Sequence, residues 1–256
     1  VPTIACRALL PRARRIVGET GLLAGDADPA GLTGSFRIGS ISTALTGLLT
    51  SALRQLTRNA PRLQPAVVPG TSRTLYRALQ EGELDAAIVV APPFPVPRSL
   101  DALLLRREPL LLLSQADPGT DIGAAVRRGP YIRYDSDSWG GQHAERYLSD
   151  HGGAPAPLYD LDALEAIALL VSDGVGVSLT PDWSGLRRLA PHCRITSVGD
   201  ERYDRHLVLL SQRRSERPQM LELLKTACLA SAAALEGSGK TPEIGACQNQ
   251  SSATRT

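Results

Sequence analysis

Apolar and polar positions between residues 36 and 180 predict strands and helices in regular succession, and the succession occurs twice. Apolar runs of strand length alternate with stretches in which apolar residues recur every three or four positions. The first unit is predicted as Phe36–Ile41, Thr43–Asn59, Leu63–Val68, Ser72–Glu81 and Ala86–Ala91. The second unit is predicted as Tyr131–Tyr134, Trp139–Asp150, Leu158–Asp160, Ala163–Val171 and Val175–Thr180. Each runs strand, helix, strand, helix, strand, which predicts two doubly wound α/β lobes.

A few residue types set the predicted ends of the helices. The first helix of the first unit carries a single leucine stripe, and the hydroxyl of Ser42 or Thr43 is predicted to cap its first turn. Asp162 is the predicted N-cap of the second helix of the second unit. Gly82 and Gly174 are predicted to end helices because glycine adopts the left-handed conformation without strain.

Further apolar segments predict how the two units are connected. Ala87–Val90 and Val175–Leu179 are almost wholly apolar, which predicts central strands of parallel sheets covered by helices on both faces. Leu103–Arg107, Leu110–Ser114 and His206–Ser211 are short apolar strands that can pass between the lobes. Two crossings of the chain make a hinge, and a hinge between two lobes makes a cleft.

The ends of the chain differ in character from its middle. Ala5–Leu23 is predicted as a helix, Gly25–Gly34 as a linker and Arg217–Ala234 as an amphipathic helix. The last twenty residues are polar and are predicted to be disordered. We therefore divide the chain into a linker helix and hinge (1–33), lobe I (34–107 and 208–236), lobe II (108–207) and a disordered tail (237–256).

Composition narrows the classes of protein that fit. Of the 256 residues, 43% are hydrophobic and 21% charged, and the net charge of only +2 argues against a surface dominated by phosphate contacts. The arginines near the N-terminus interrupt any secretory signal, and Pro109–Leu113 is too short to span a bilayer. Four cysteines without a paired spacing are typical of a reducing cytoplasm. We expect a cytoplasmic protein without a membrane partner.

Several segments in order resemble the LysR-type transcriptional regulators. Arg7–Ile16 resembles their linker helix, and Gly34–Ser40 resembles the opening strand of their effector domain. Leu79–Ile88, read as LQEGELDAAI, is the most specific match, and Val171–Pro181 is its counterpart in the second lobe. Glu108–Leu113 resembles the crossing between lobes. The similarity extends over about residues 5–235.

The resemblance implies a periplasmic-binding-protein-like fold of type 2 that binds a small-molecule effector between its lobes. It also implies a homodimer or tetramer that contacts promoter DNA through an N-terminal domain missing from this sequence. Small aromatic or aliphatic carboxylates are the effector class that we expect. One alternative is a stand-alone solute-binding or decoy sensor without DNA binding, and another is an enzyme on the same two-lobed fold.

Hydroxyls at the predicted strand–helix turns are the candidate ligand-binding groups. Ligands of open α/β sheets bind at the carboxyl ends of the strands, where helix starts present free amides. The candidates are Ser42, Thr43, Thr71, Ser72, Tyr134, Ser136 and Ser138, with Phe94 as a candidate wall of the cleft. Each hydroxyl has an alternative role as a helix cap. Four arginines could pair with an anionic effector, each with an alternative role on the surface: Arg37, Arg73, Arg98 and Arg133.

No motif predicts catalysis, a metal or a cofactor. Gly237–Thr241 imitates the end of a phosphate-binding loop, but Ala234 stands where its first glycine is required. His192 and Cys193 are adjacent in sequence and are not expected to face each other as base and nucleophile. The remaining histidines lack the spacing of metal ligands. We therefore expect a sensor with no catalytic residues, no metal and no cofactor.

Overall fold

A computed structural model describes residues 31–119 and 121–238, together with Thr3 and eight helical positions between residues 5 and 20. Those eight positions lie within the predicted helix Ala5–Leu23. The rest of that helix, most of the predicted linker and the predicted tail from residue 239 onward lie outside the described residues. Among the residues described, no helix combines the length and the apolar character needed to cross a membrane.

Ten strands and eight α-helices make up the described fold. The strands are β1 (Gly34–Ser40), β2 (Leu63–Pro69), β3 (Ala86–Val90), β4 (Leu100–Glu108), β5 (Leu110–Ser114), β6 (Tyr131–Tyr134), β7 (Pro157–Leu161), β8 (Ser178–Pro181), β9 (Arg194–Ser197) and β10 (Arg205–Gln212). The helices are α1 (Ser42–Ala44), α2 (Thr50–Asn59), α3 (Ser72–Gln80), α4 (Ile122–Arg128), α5 (Gly141–Asp150), α6 (Leu164–Ser172), α7 (Leu186–Leu189) and α8 (Pro218–Ser238). A π-helical turn, Leu45–Leu49, joins α1 to α2, and a 3-10 turn, Glu201–Tyr203, precedes β10.

The strands form two lobes with the same spatial order. In lobe I the order is β2-β1-β3-β10-β4. In lobe II, β8-β5-β9 and β6-β7 are separate sheets, but an isolated parallel bridge between Tyr131 and Val177 joins them. The resulting order, β7-β6-β8-β5-β9, repeats that of lobe I. The prediction of two α/β lobes built on a duplicated plan is confirmed.

The prediction of wholly parallel central strands was wrong on one side of each lobe. In lobe I, β3 is parallel to β1 but antiparallel to β10. In lobe II, β8 begins at Ser178, later than predicted, and is antiparallel to β5. The physical reason is the hinge: β10 and β5 each enter their lobe from the other one, so they run against the strands that were built locally.

The apolar residues form one core in lobe I and two smaller cores in lobe II. The lobe I core joins the sheet to α3, α8 and the long helical segment that starts at Ser42. Leu48, Leu49 and Leu56 of the predicted leucine stripe are buried in it. In lobe II, one cluster includes Ile167 of α6 and the other includes Leu148 of α5. The leucine stripe therefore serves the interior of lobe I.

Candidate functional site

A cavity of about 670 Å³ lies between the lobes. Its walls are the turns that follow β1, β2, β6 and β7, so it is at the carboxyl ends of these strands, where a ligand site is expected in an open α/β sheet. The lining residues are Ile41–Thr43, Pro69–Arg73, Val90, Tyr134, Asp135, Asp137–Gly140, Asp162–Glu165 and Arg205. Both lobes contribute, which makes the cavity sensitive to their relative position.

Six of the eight predicted ligand-binding residues line this cavity: Ser42, Thr43, Thr71, Ser72, Tyr134 and Ser138. Ser136 and Phe94 are not among the described residues that line it. Phe94 is 43% exposed and instead contacts two other aromatic rings at the rim. The structure thus brings most of the predicted hydroxyls together, and their role in binding stays a prediction.

Three of these hydroxyls already have local partners. Thr71 caps α3 in a reciprocal pair with Thr74, whose side chain accepts from the Thr71 amide. The Ser138 hydroxyl accepts from the amide of Gly141 at the start of α5. The Ser72 hydroxyl accepts from the amide of Val90 and so ties α3 to β3. Capping therefore explains Thr71, and a local bond in the turn before α5, whose N-cap is Gly140, explains Ser138 without a ligand.

The helix that starts at Ser42 is not capped in the predicted way. Its N-cap is Ile41, which has no polar side chain, so the prediction of a Ser42 or Thr43 cap was wrong. Similarly, the N-cap of α6 is Ala163, and Asp162 does not cap that helix as predicted. Both helix starts line the cavity. Helix starts without a side-chain cap leave amides and a positive dipole end for a ligand.

A buried ion pair joins the two crossings at the hinge. Arg205 begins β10, Glu108 ends β4, and the two residues are 1% and 3% exposed. The Arg205 guanidinium donates to Glu108 Oε2 from Nε at 2.7 Å, and its Nη2 lies 2.5 Å from the same oxygen. Burial disfavours the cation, but the Glu108 carboxylate more than offsets this and raises the pKa of Arg205.

Arg205 also connects the hinge to the cavity wall. Its Nη2 donates to the hydroxyl of Thr43 at 3.3 Å. Burial raises the pKa of the cavity residue Tyr134, and the neighbouring Arg205 cation opposes part of this shift. Sequence reasoning missed Arg205 and Glu108. Each is a charged residue close to an apolar run, Leu207–Leu210 for Arg205 and Leu110–Leu113 for Glu108, but no local pattern indicates that the two meet.

The four arginines considered as ligand partners lie in different surroundings. Arg37 pairs with Asp85, and Arg133 pairs with Asp160. Arg98 is not among the described residues that line the cavity. Arg73 does line it, and its Nη2 donates to the backbone oxygen of Asp137 at 3.0 Å, across the cleft.

The lobe II side of the cavity is acidic. Four carboxylates line it, and none forms an ion pair with another described residue: Asp135, Asp137, Asp162 and Glu165. Burial raises the pKa of Asp162, and the nearby Asp135 charge raises it further, while a hydrogen bond from Ser138 opposes the shift. Sequence reasoning considered Asp162 only as a cap and missed this cluster.

Aromatic side chains close the rim of the cleft. Trp139 belongs to the lobe II turn before α5, yet it is 6% exposed and packs within the lobe I core. Its ring meets Tyr76 and Phe94 edge to face, with centroid distances of 5.7 and 5.6 Å. Such pairs contribute roughly 0.5–1.5 kcal/mol each beyond the area that they bury. The two lobes therefore contact each other directly at this rim.

The described cysteines lie away from the cavity lining. Cys228 is buried in the lobe I core, where burial raises its pKa to about 12. Cys193 is partly buried beside a lobe II core, and burial raises its pKa as well. Cys6 is exposed on the N-terminal segment. Among the described residues, no group of three histidine, cysteine or acidic side chains is arranged to hold a metal ion.

Comparison with known sequences identifies relatives among transcriptional regulators. A family model described as the LysR substrate binding domain matches residues 29–233. A probable hydrogen peroxide-inducible genes activator of Mycobacterium xenopi is 39% identical over 90 residues, 34% of this chain and 47% of that protein. The regulator IlvR of Caulobacter vibrioides is 29% identical over 170 residues, 62% of this chain and 55% of that protein. The chain thus spans about half the length of these relatives.

Solved structures share the fold. The H2O2-bound Cys-to-Ser mutant of Corynebacterium glutamicum OxyR superimposes with a TM-score of 0.69 at 20% identity, covering 96% of this chain and 81% of that one. The effector binding domain of a BenM variant superimposes with a TM-score of 0.66 at 20% identity, covering 79% of this chain and 96% of that one. At this identity the similarity shows the fold alone.

Proposed function

Because the chain belongs to the LysR substrate-binding domain family, we propose that a small organic acid binds in the cavity between its lobes and that this binding regulates transcription. The observation that supports this most directly is that two helix starts without side-chain caps line the cavity. Free amides and positive dipole ends favour a carboxylate. We propose that the ligand is bound by the hydroxyls that line the cavity and by the free backbone amides of these helix starts. Ser42 and Thr43 are the most important of these residues.

The contacts that cross the cleft supply a physical route for the signal. The Ser42 hydroxyl lies 3.5 Å from Glu165 Oε2, Arg73 reaches the Asp137 carbonyl, and Trp139 packs into lobe I. An effector that binds the closed arrangement more tightly than an open one shifts the population toward it. We propose that this shift changes how a cytoplasmic homodimer or tetramer presents its DNA-binding domains to a promoter.

Reversible binding fits this cavity better than oxidation of a thiol. One relative and one solved structure are named for peroxide, and a sensor of that kind needs a reactive, accessible thiolate. No cysteine is among the described residues that line the cavity. Burial raises the pKa of both Cys193 and Cys228, and the exposed Cys6 belongs to the N-terminal segment and not to the cavity. The described cavity lining also contains no histidine that would serve a nucleophile as a base. These observations favour a sensor over a peroxidase or another enzyme.

Thermal unfolding of the full chain with a panel of carboxylic acids tests the proposal. A cavity ligand at a hundred times its Kd stabilises the folded state by about 2.7 kcal/mol. For a chain of this size we expect that to raise the Tm by about 5–10 °C. The panel includes aliphatic, aromatic and amino-substituted acids.

Matched variants show whether a found ligand binds in the cavity. Thr43→Val keeps the shape of a side chain that accepts a bond from Arg205, and it should weaken binding at least five-fold. Thr226→Val, on the exposed face of α8, should leave binding unchanged. No thermal response to any acid would contradict the proposed function. Equal binding by both variants would contradict the placement of the site.

A further inference from the structure

The two sides of the cavity carry different charges. The lobe I side offers the uncapped helix start at Ser42 and Thr43, together with the exposed guanidinium of Arg73. The lobe II side presents the four unpaired carboxylates described above beside the uncapped start of α6. Four full negative charges outweigh the partial positive charge of one helix end, which is about half a unit. The buried cation Arg205 adds no net charge, because Glu108 neutralises it. The cavity therefore has a side that favours an anion and a side that favours a cation.

We propose that the effector is a zwitterion, an amino acid or a related amino-carboxylic acid, whose ammonium group is bound by Asp135 and Asp162. Its carboxylate faces the backbone amides of the helix start at Ser42 and Thr43 and the guanidinium of Arg73, while the Ser42 hydroxyl keeps its contact with Glu165. This inference rests on the proposed function of the same cavity and names the chemical class of its ligand.

Asp162 and Asp135 are placed to receive a cation. Asp162 is not used to cap α6, because the N-cap is Ala163, so its carboxylate is left at the cavity wall. Asp135 uses one oxygen, Oδ1, to accept from the amide of Asp137, which leaves its other oxygen outside that turn. Two neighbouring carboxylates without a cation repel each other. A bound ammonium group relieves this repulsion, and its three donors match several oxygens.

A purely anionic effector fits this cavity less well. It would meet four carboxylates, and Arg73 is the one lining arginine that forms no ion pair with a described residue. A divalent cation also fits poorly, because the described acidic residues are not grouped closely enough to hold one. An organic cation of greater length, with its charge at one end, can reach the acidic wall while its carboxylate stays on the other side.

Trios of related compounds isolate the contribution of each charge. Calorimetric titration of the full chain compares an amino acid with its deaminated acid and its decarboxylated amine. L-leucine is matched with 4-methylpentanoate and 3-methylbutylamine, and L-phenylalanine with 3-phenylpropanoate and 2-phenylethylamine. A thermal screen of the other natural amino acids and of ω-amino acids selects further trios. We expect at least one amino acid to bind ten-fold or more tightly than both of its single-charge analogues.

Variants of the acidic wall test the assignment of the ammonium group. Asp162→Asn and Asp135→Asn keep the side-chain shape, and the amide that replaces the Asp135 carboxylate would still offer an oxygen to the Asp137 amide. Each should weaken binding of the amino acid ten-fold or more while changing the affinity for its deaminated analogue less than two-fold. Asp173→Asn, at the exposed end of α6, is the matched control and should change neither affinity.

The outcomes of these titrations separate this inference from the proposed function. If a deaminated acid binds as tightly as its amino acid, and Thr43→Val weakens that binding, the cavity is a carboxylate site and the zwitterion proposal is overturned. If the amino acid binds equally well to Asp162→Asn and Asp135→Asn, the proposal is overturned too. If no compound of either kind binds, the proposed function itself fails.

Discussion

Lobe I and lobe II share one strand order but differ in how they are stabilised. The strands of lobe I are five to nine residues long and enclose a single continuous core. Those of lobe II are four or five residues long and separate two smaller cores. Less apolar area per core means less stabilisation on folding. The comparison indicates that lobe I is more stable than lobe II and that lobe II unfolds first.

The cavity repeats this contrast at equivalent positions. Thr71 precedes the second helix of lobe I and is used to cap it. Asp162 precedes the second helix of lobe II and is not. Two residues of similar capping ability at matching turns therefore do different things, because the lobe II helix begins one residue later. The duplicated plan fixes where a turn lies, whereas the local backbone decides whether its side chain is available to a ligand.

Breaking the hinge pair that both lobes share should have the largest effect. Arg205→Met leaves the Glu108 carboxylate buried without its cation, which typically costs about 3–5 kcal/mol. The free energy of unfolding, measured in urea, reports this loss. The double variant Arg205→Met/Glu108→Leu should recover most of it, because a buried pair replaced by apolar side chains leaves no isolated charge.

An exposed pair in the same lobe provides the control for the hinge. Arg213→Met removes the ion pair with Asp101. Because both side chains are solvent-exposed, this should lower the free energy of unfolding by less than about 1 kcal/mol. If the Arg205 and Arg213 variants lose similar amounts of stability, the hinge pair has no special role in joining the lobes.

Matched truncations, one in a core of each lobe, should show which lobe unfolds first. Leu79→Ala in lobe I and Ile167→Ala in lobe II both truncate fully buried side chains and should each cost about 2–5 kcal/mol. Hydrogen exchange resolves where the loss is felt. We expect Ile167→Ala to raise exchange in lobe II alone, and Leu79→Ala to raise it in both lobes. Equal exchange throughout the chain for Ile167→Ala would mean that the lobes unfold as one unit.

Acid should weaken lobe II through His143. Burial, helped by the cations of Arg146 and Arg205, lowers the pKa of His143 to about 4. The unfolded chain therefore takes up a proton near pH 6.5, before the folded protein does, so stability present above pH 6.5 is lost as the pH falls toward 4. At pH 5 the loss is about 2 kcal/mol at most.

Unfolding at pH 7 and pH 5 checks the role of His143. In His143→Gln the difference between the two pH values should shrink, and in His192→Gln, on the exposed surface, it should stay as in the unaltered chain. An unchanged difference in His143→Gln would assign the acid sensitivity to other groups.

The duplicated plan could be predicted from the sequence because it rests on local patterns. The bounds of β5 and β6 agree with the predicted Leu110–Ser114 and Tyr131–Tyr134. Elements that were missed are short or lie near the surface, such as α4 with seven residues and the partly exposed β9. Their apolar residues are too few to establish a period.

Only part of the site could be predicted from the sequence, because some of its contacts join residues that are far apart along the chain. Hydroxyls such as Ser42 and Ser138 were found because they follow a strand, which is a local feature. The Arg205–Glu108 pair joins residues 97 positions apart, and the Thr43–Arg205 bond spans 162. The meeting of Asp135 and Asp162 likewise depends on the pairing of β6 with β7. Such contacts follow from the assembled sheet and not from any single segment.

Two equivalent glycines offer the finest comparison of the lobes. Gly82 follows α3 and Gly174 follows α6, with φ angles of 74° and 80°. A Cβ at Gly82 would meet nothing within 4 Å, so Gly82→Ala should cost only the left-handed strain, about 1 kcal/mol. A Cβ at Gly174 would lie 2.9 Å from Gln115 Oε1. Because Gln115 donates to the Ser172 carbonyl, Gly174→Ala should cost about 0.5–1 kcal/mol more, the scale of one hydrogen bond.

A double-mutant cycle separates strain from collision at Gly174. In a Gln115→Ala background the colliding side chain is gone, so the further cost of Gly174→Ala should fall to that of Gly82→Ala. Urea unfolding of the four chains gives the coupling energy directly. A coupling energy of zero would mean that Gln115 moves aside freely. The extra cost at Gly174 would then reflect a backbone in lobe II that is strained for a different reason from the one in lobe I.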